Sequence, residues 1–200
     1  MRIVFDKSRL LWVLAAGLIP QVSSAHEAAG MQFGSFVGGL AHPVLGFDHF
    51  LAMVSVGILS AQLGGRAIWT VPATFIGVMA FGGVLGMIDI GLSAIEVGIA
   101  CSLLALGIAI AMDRKIPLSA AMAAVGFFAI FHGYAHGAEI PNVAKPLIYS
   151  FGFLTGTAAL HVFGVIIGDI AQRYVRGMLL LRIAGGAIAV IGTAFLVGIA

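Results

Sequence analysis

The residues best able to do chemistry lie in two short stretches. The first is Ala41-His42-Pro43-Val44-Leu45-Gly46-Phe47-Asp48-His49, and the second is Phe131-His132-Gly133-Tyr134-Ala135-His136-Gly137-Ala138-Glu139-Ile140-Pro141. Each sets imidazoles beside a carboxylate in a chain that otherwise avoids charge. An ionisable side chain at bilayer depth costs roughly 2.5–3.5 kcal/mol on insertion scales, and a bound cation is the natural compensation. His132, His136 and Glu139 follow one another at i, i+4 and i+7, so they fall on one helix face. His42 and His49 share a face if their helix is regular. Imidazole suits nickel, zinc, copper and iron, while carboxylate suits harder ions. The one cysteine, Cys101, sits in an apolar run, which excludes an internal disulfide and a thiolate-rich metal site. A nitrogen–oxygen set without sulfur fits Ni²⁺ or Co²⁺, and Zn²⁺ or Mn²⁺ less distinctively. Asp48 and Glu139 are either ligands or outer groups that orient the imidazoles.

The elements that must position these residues are membrane helices. Hydrophobic residues make up 61% of the chain and charged residues 9%, with a mean hydropathy of +1.13. A soluble domain carries about 25% charged residues. The fold class is therefore all-α, a polytopic membrane helix bundle. Six apolar segments approach the ~20 residues needed to span, at about 43–63, 67–88, 92–112, 117–138, 145–168 and 179–199. Residues 28–41 are small and Gly-rich and are expected to form a helical lead-in against the bundle. At the N-terminus, Arg2, Lys7 and Arg9 precede a short apolar core and then Ser23-Ser24-Ala25, the pattern of a secretory signal. Residues 1–25 are expected to be a signal peptide, leaving His26 first in a six-span domain over 26–200.

Loop charge gives the orientation. One set of loops carries Arg66, Arg114, Lys115, Arg173, Arg176 and Arg182, and the other carries only Lys145. Basic loops face the cytoplasm, so both mature termini should face the periplasm or cell exterior. A residue before proline is pushed out of the helical region, and proline suits a first turn. His42 is therefore expected at or just outside the outer end of the first span, with Asp48 and His49 one to two turns inside. The fourth span ends on the same side, so the two sets converge if those spans touch.

Other features read more plainly. The chain has 28 glycines, many at helical spacing, as in Gly152, Gly156, Gly164 and Gly168; small residues let membrane helices pack closely. No Gly-Lys pair occurs, so there is no Walker A loop, and no basic patch suggests nucleic acid. Met53 follows His49 on the same face and serves packing or a pathway. His161, deep in the fifth span without a nearby acid, bonds between helices or lines an inner pathway. Glu96 joins the site or pairs with a histidine from the outer end of the third span, and Asp89 is a solvated loop residue.

His42-Pro43-x-x-Gly46-x-Asp48-His49 together with Phe131-His132-Gly133-x-Ala135-His136-Gly137-x-Glu139 resembles the HupE/UreJ family of nickel and cobalt transporters, and the likeness covers the whole chain. The resemblance implies secondary uptake of Ni²⁺, with Co²⁺ as the alternative cargo, and neither enzymatic activity nor a catalytic cofactor. It implies that His42, Asp48 and His49 in the first span, and His132, His136 and Glu139 in the fourth, match residues important for transport. The metal would feed hydrogenase or urease maturation. The competing reading is an intramembrane metal-dependent hydrolase with Glu139 as base, but His-Glu-x-x-His and Gly-x-Ser-x-Gly are absent. A b-type haem protein fits poorly, because most histidines lie near one surface beside acids.

Overall fold

The computed structural model describes residues 33–198. The expected signal segment 1–25 and His26 lie outside the described residues. Those described form seven helices: α1 Ser35–Leu45, α2 Phe47–Leu63, α3 Ala67–Met87, α4 Ile95–Met112, α5 Leu118–Ala138, α6 Pro146–Gln172 and α7 Val175–Leu196. Helices α3 to α7 are each long and apolar enough to cross a membrane, whereas α1 and α2 qualify only as a pair, bent by 82°. Counted as one broken span, that pair makes the sixth.

The break sits at Gly46 and not before Pro43, where the proline rules put the start of the first span. Pro43 lies in the last turn of α1, so its missing N–H forfeits a bond only near a helix end. The chain then leaves the helix at Gly46, with φ −80 and ψ 110, and α2 begins at the next residue. His42 thus belongs to the last turn of α1. Of the lead-in expected over 28–41, residues 28–32 lie outside the described residues and the rest falls largely in α1, which packs on the bundle.

Large apolar side chains such as Trp69, Phe127, Leu147 and Phe151 point outward, as they should where lipid is the solvent. Lipid tails are as apolar as leucine, so helices associate through close packing of small residues. A Cβ on Gly152 would strike the carbonyl of Phe36, one on Gly156 that of Leu40, one on Gly164 that of Val54, and one on Gly168 the Ala61 side chain, close against the Ile58 backbone. Along α6 these contacts advance in the same chain direction, first on α1 and then on α2. By the same contacts α3 and α5 are parallel, with Gly82 on Ile130 and Gly86 on Tyr134. Helices α4 and α7 are antiparallel, with Gly107 on Ala189 and Gly192 on Leu104. Six successive crossings of alternating direction require these relations: first with fifth, second with fourth, third against sixth. If α1 and α2 are counted as separate crossings, the first of these fails, because α1 would then run against α6.

Helix α2 is the most enclosed, buried along most of its length from His49 to Gln62. One end of the bundle is basic. There Lys115 Nζ donates to the carbonyls of Gln62 and Leu63, and Arg182 Nε donates to the Ala111 carbonyl at 3.1 Å. At the other end the starts of α1 and α6 are tied by the Lys145 backbone N–H, which donates to Ser35 Oγ at 2.9 Å. The histidine-rich stretches lie toward this second end.

Candidate metal site

Three helix ends deliver the site. The last turn of α1 carries His42, the first turn of α2 carries Asp48 and His49, and the last two turns of α5 carry His132 and His136. The rings form a row. The His136 centroid lies 4.7 Å from that of His42 and 4.2 Å from that of His49, and His49 lies 5.0 Å from His132. Glu139 follows α5 directly, and its carboxylate, one nitrogen of His42 and one of His136 all lie within 4.8 Å of one another. Two histidine–carboxylate stretches far apart in sequence thus meet in one place.

Hydrogen bonds fix which nitrogens are available. Asp48 Oδ1 is 2.9 Å from His49 Nδ1 and also accepts from the His49 backbone N–H at 2.8 Å. A carboxylate only accepts, so the shared hydrogen is on His49 Nδ1. The lone pair of His49 is then on Nε2, which is buried without a partner. Asp48 therefore orients His49, the outer role for an acid beside a metal-binding imidazole. An acid in the first turn of α2 also suits the positive end of that helix.

His132 is held from a different helix. Ser102 Oγ donates to the Ile99 carbonyl at 2.6 Å and lies 2.9 Å from His132 Nε2. The hydroxyl has one hydrogen. With that hydrogen on Ile99, Ser102 accepts from His132 Nε2–H and leaves the lone pair on Nδ1. His132 is 0% exposed and its Nδ1 has no partner, and neither ring nitrogen of His136 has one. Buried polar atoms normally find partners. Here the unpartnered atoms are nitrogens of imidazoles whose rings lie within 5.0 Å of a neighbouring imidazole, a type of ligand that suits a borderline divalent cation.

Other expected residues are placed differently. Glu96 is exposed in the first turn of α4 and is not part of the three-residue group. Met53 is fully buried on α2, and His161 is buried on α6 below the row. Asp89 is an exposed loop residue with φ 53. Sequence reasoning missed Ser102, which looks like any hydroxyl in an apolar helix. It also missed Phe153, whose ring lies 4.1 Å from that of His136, and Tyr149, 6.0 Å from His42. The signal for these two was their spacing of four on one side of the fifth span.

Comparison with known proteins agrees with the motif resemblance. The family model described as "HupE / UreJ protein" matches residues 14–195. A relative, "Protein HupE" of Rhizobium leguminosarum bv. viciae, is 43% identical over 192 residues, spanning 96% of this chain and 98% of its own. No solved structure matches significantly. On the extent of these two matches, the chain belongs to the HupE/UreJ family.

Proposed function

We propose that the protein is a secondary permease that takes up Ni²⁺, with Co²⁺ as the alternative cargo, across the bacterial inner membrane. Membership of the HupE/UreJ family supports a transporter of this type. The observation that carries the reading is the meeting of His42, His49, His132 and His136 from two spans, with buried nitrogens left unpartnered. His42, His136 and Glu139 receive the ion at the mouth. His49 and His132 take it deeper, oriented by Asp48 and Ser102. No finding supports the hydrolase alternative.

In the proposed topology residues 1–25 are removed as a signal peptide and residues 26–200 form the permease domain. Both mature termini then face the periplasm, and the basic end of the bundle faces the cytoplasm. A divalent cation moving inward gains about 2.3 kcal/mol per charge for each 100 mV of potential, enough to drive uptake without an ATPase. Hydrogenase or urease maturation would consume the metal. The test is uptake of radioactive nickel at trace concentration by cells expressing the protein. Accumulation is expected to be lost in His49→Ala and in His136→Ala. Unchanged accumulation in both rules the site out.

A further inference from the structure

Helix α6 carries Tyr149, Phe153, Thr157 and His161 at intervals of four, so all lie along one side of it. The first two touch the histidine row: Tyr149 lies 6.0 Å from His42, and Phe153 lies 4.1 Å from His136. The next two continue that side into the bundle, away from the mouth. Thr157 is 0% exposed and His161 is 1% exposed. Neither Thr157 Oγ1 nor either ring nitrogen of His161 has a hydrogen-bond partner.

This departs from what the rest of the chain does. A threonine in a membrane helix usually bonds back to the carbonyl one turn earlier. Thr70, Thr74, Thr155 and Thr193 all do so, and Thr157 does not. A buried imidazole without a protein partner is likewise expensive to leave in place.

The row connects to this pair through Phe75 of α3. Its ring, fully buried, lies 5.6 Å from that of His132 and 5.2 Å from that of His161. Helix α2 closes the opposite side. Gly57 sits against the His161 carbonyl, and Met53 is one turn nearer the mouth on the same face.

We propose that Thr157 and His161 form a second, inner station for the divalent cation, reached past Phe75 from His132. It rests on the permease reading above. One imidazole and one hydroxyl leave most of the coordination shell to water. That makes a weaker station than the mouth, as release toward the cytoplasm requires.

The test uses the full-length protein and Ni²⁺ alone. Thr157→Cys exchanges a buried hydroxyl for a thiol of similar size. In purified, Ni²⁺-loaded protein it is expected to add a sulfur-to-nickel charge-transfer band absent from the parent, whose one thiol is Cys101. His161→Ala is expected to keep Ni²⁺ binding at the mouth while cellular uptake falls by about tenfold or more, the scale on which even an outer partner of a metal acts. No added band in Thr157→Cys, with parental uptake in His161→Ala, overturns the inner station. If His161→Ala fails to fold, the band alone decides. Failure of the permease reading looks different: the parent takes up no Ni²⁺, or His136→Ala takes up as much as the parent.

Discussion

Gly133→Ala tests whether the α3–α5 contact positions the metal site. Gly133 lies on α5 between His132 and His136 and faces the backbone of α3. A Cβ there would stand 2.8 Å from Met79 C and 2.9 Å from Gly83 N, and closer still to the Met79 carbonyl oxygen. Ordinary contact begins near 3.4 Å, so the helices must separate by more than half an ångström at this level. Every obstructing atom is backbone, and none can turn aside. Overpacking of this kind costs about 1–3 kcal/mol. His132 and His136 ride on the displaced helix, and a misplacement near 1 Å can cost about a hundredfold in a geometry-dependent step. The assay pairs thermal unfolding in detergent with nickel uptake. Gly77→Ala, on α3 with nothing within 4 Å of the added atom, is the control. It should be neutral or gain up to about 1 kcal/mol from helix propensity. A Gly133→Ala protein that melts and transports like the parent refutes the reasoning, as does equal damage from Gly77→Ala.

Ser102→Ala removes the acceptor for His132 Nε2–H and should weaken Ni²⁺ binding by about 10–100-fold, read by titration of purified protein. Asp48→Ala should do the same through His49, while Asp48→Asn, whose amide oxygen still accepts from Nδ1, should retain more binding. At a free concentration about 100 times Kd, Ni²⁺ should add about 2.7 kcal/mol to stability. That gain, measured as a rise in melting temperature, should be absent from a His42→Ala, His136→Ala double variant.

Much of this architecture was legible in the sequence for definite physical reasons. An apolar run of about 20 residues has few alternatives to a membrane helix, so the later spans sit close to where hydropathy put them. The i, i+4, i+7 spacing of His132, His136 and Glu139 announced a shared face, and loop charge put both stretches at the same end of their spans, though not whether those spans touch. The break in the first span was not legible. Pro43 and Gly46 both disrupt helices, and sequence alone does not say which one the surrounding packing will use. With α1 seated on the glycines of α6, Pro43 is kept helical and the bend falls at Gly46. Ser102 was hidden for another reason: its importance lies in a partner thirty positions away, and nothing local marks it.

The break at Gly46 is what lets one ring meet histidines from two successive helices. On a straight helix, residues 42 and 49 stand about 10.5 Å apart along the axis at 1.5 Å per residue. A ring from another helix would meet one of them or the other. Here the His136 centroid lies 4.7 Å from His42 and 4.2 Å from His49, because the chain turns by 82° between the two helices. The same turn exposes a helix start in the bundle, and Asp48 occupies it, bonded to the His49 backbone and ring. The bend thus supplies both the convergence of imidazoles and the charge that orients one of them. Broken membrane helices tend to occur where irregular backbone lines a polar cavity. A permease of the proposed kind, which would dehydrate an ion at its mouth and release it within, has reason to place the irregular crossing seen among the described residues at its proposed first station.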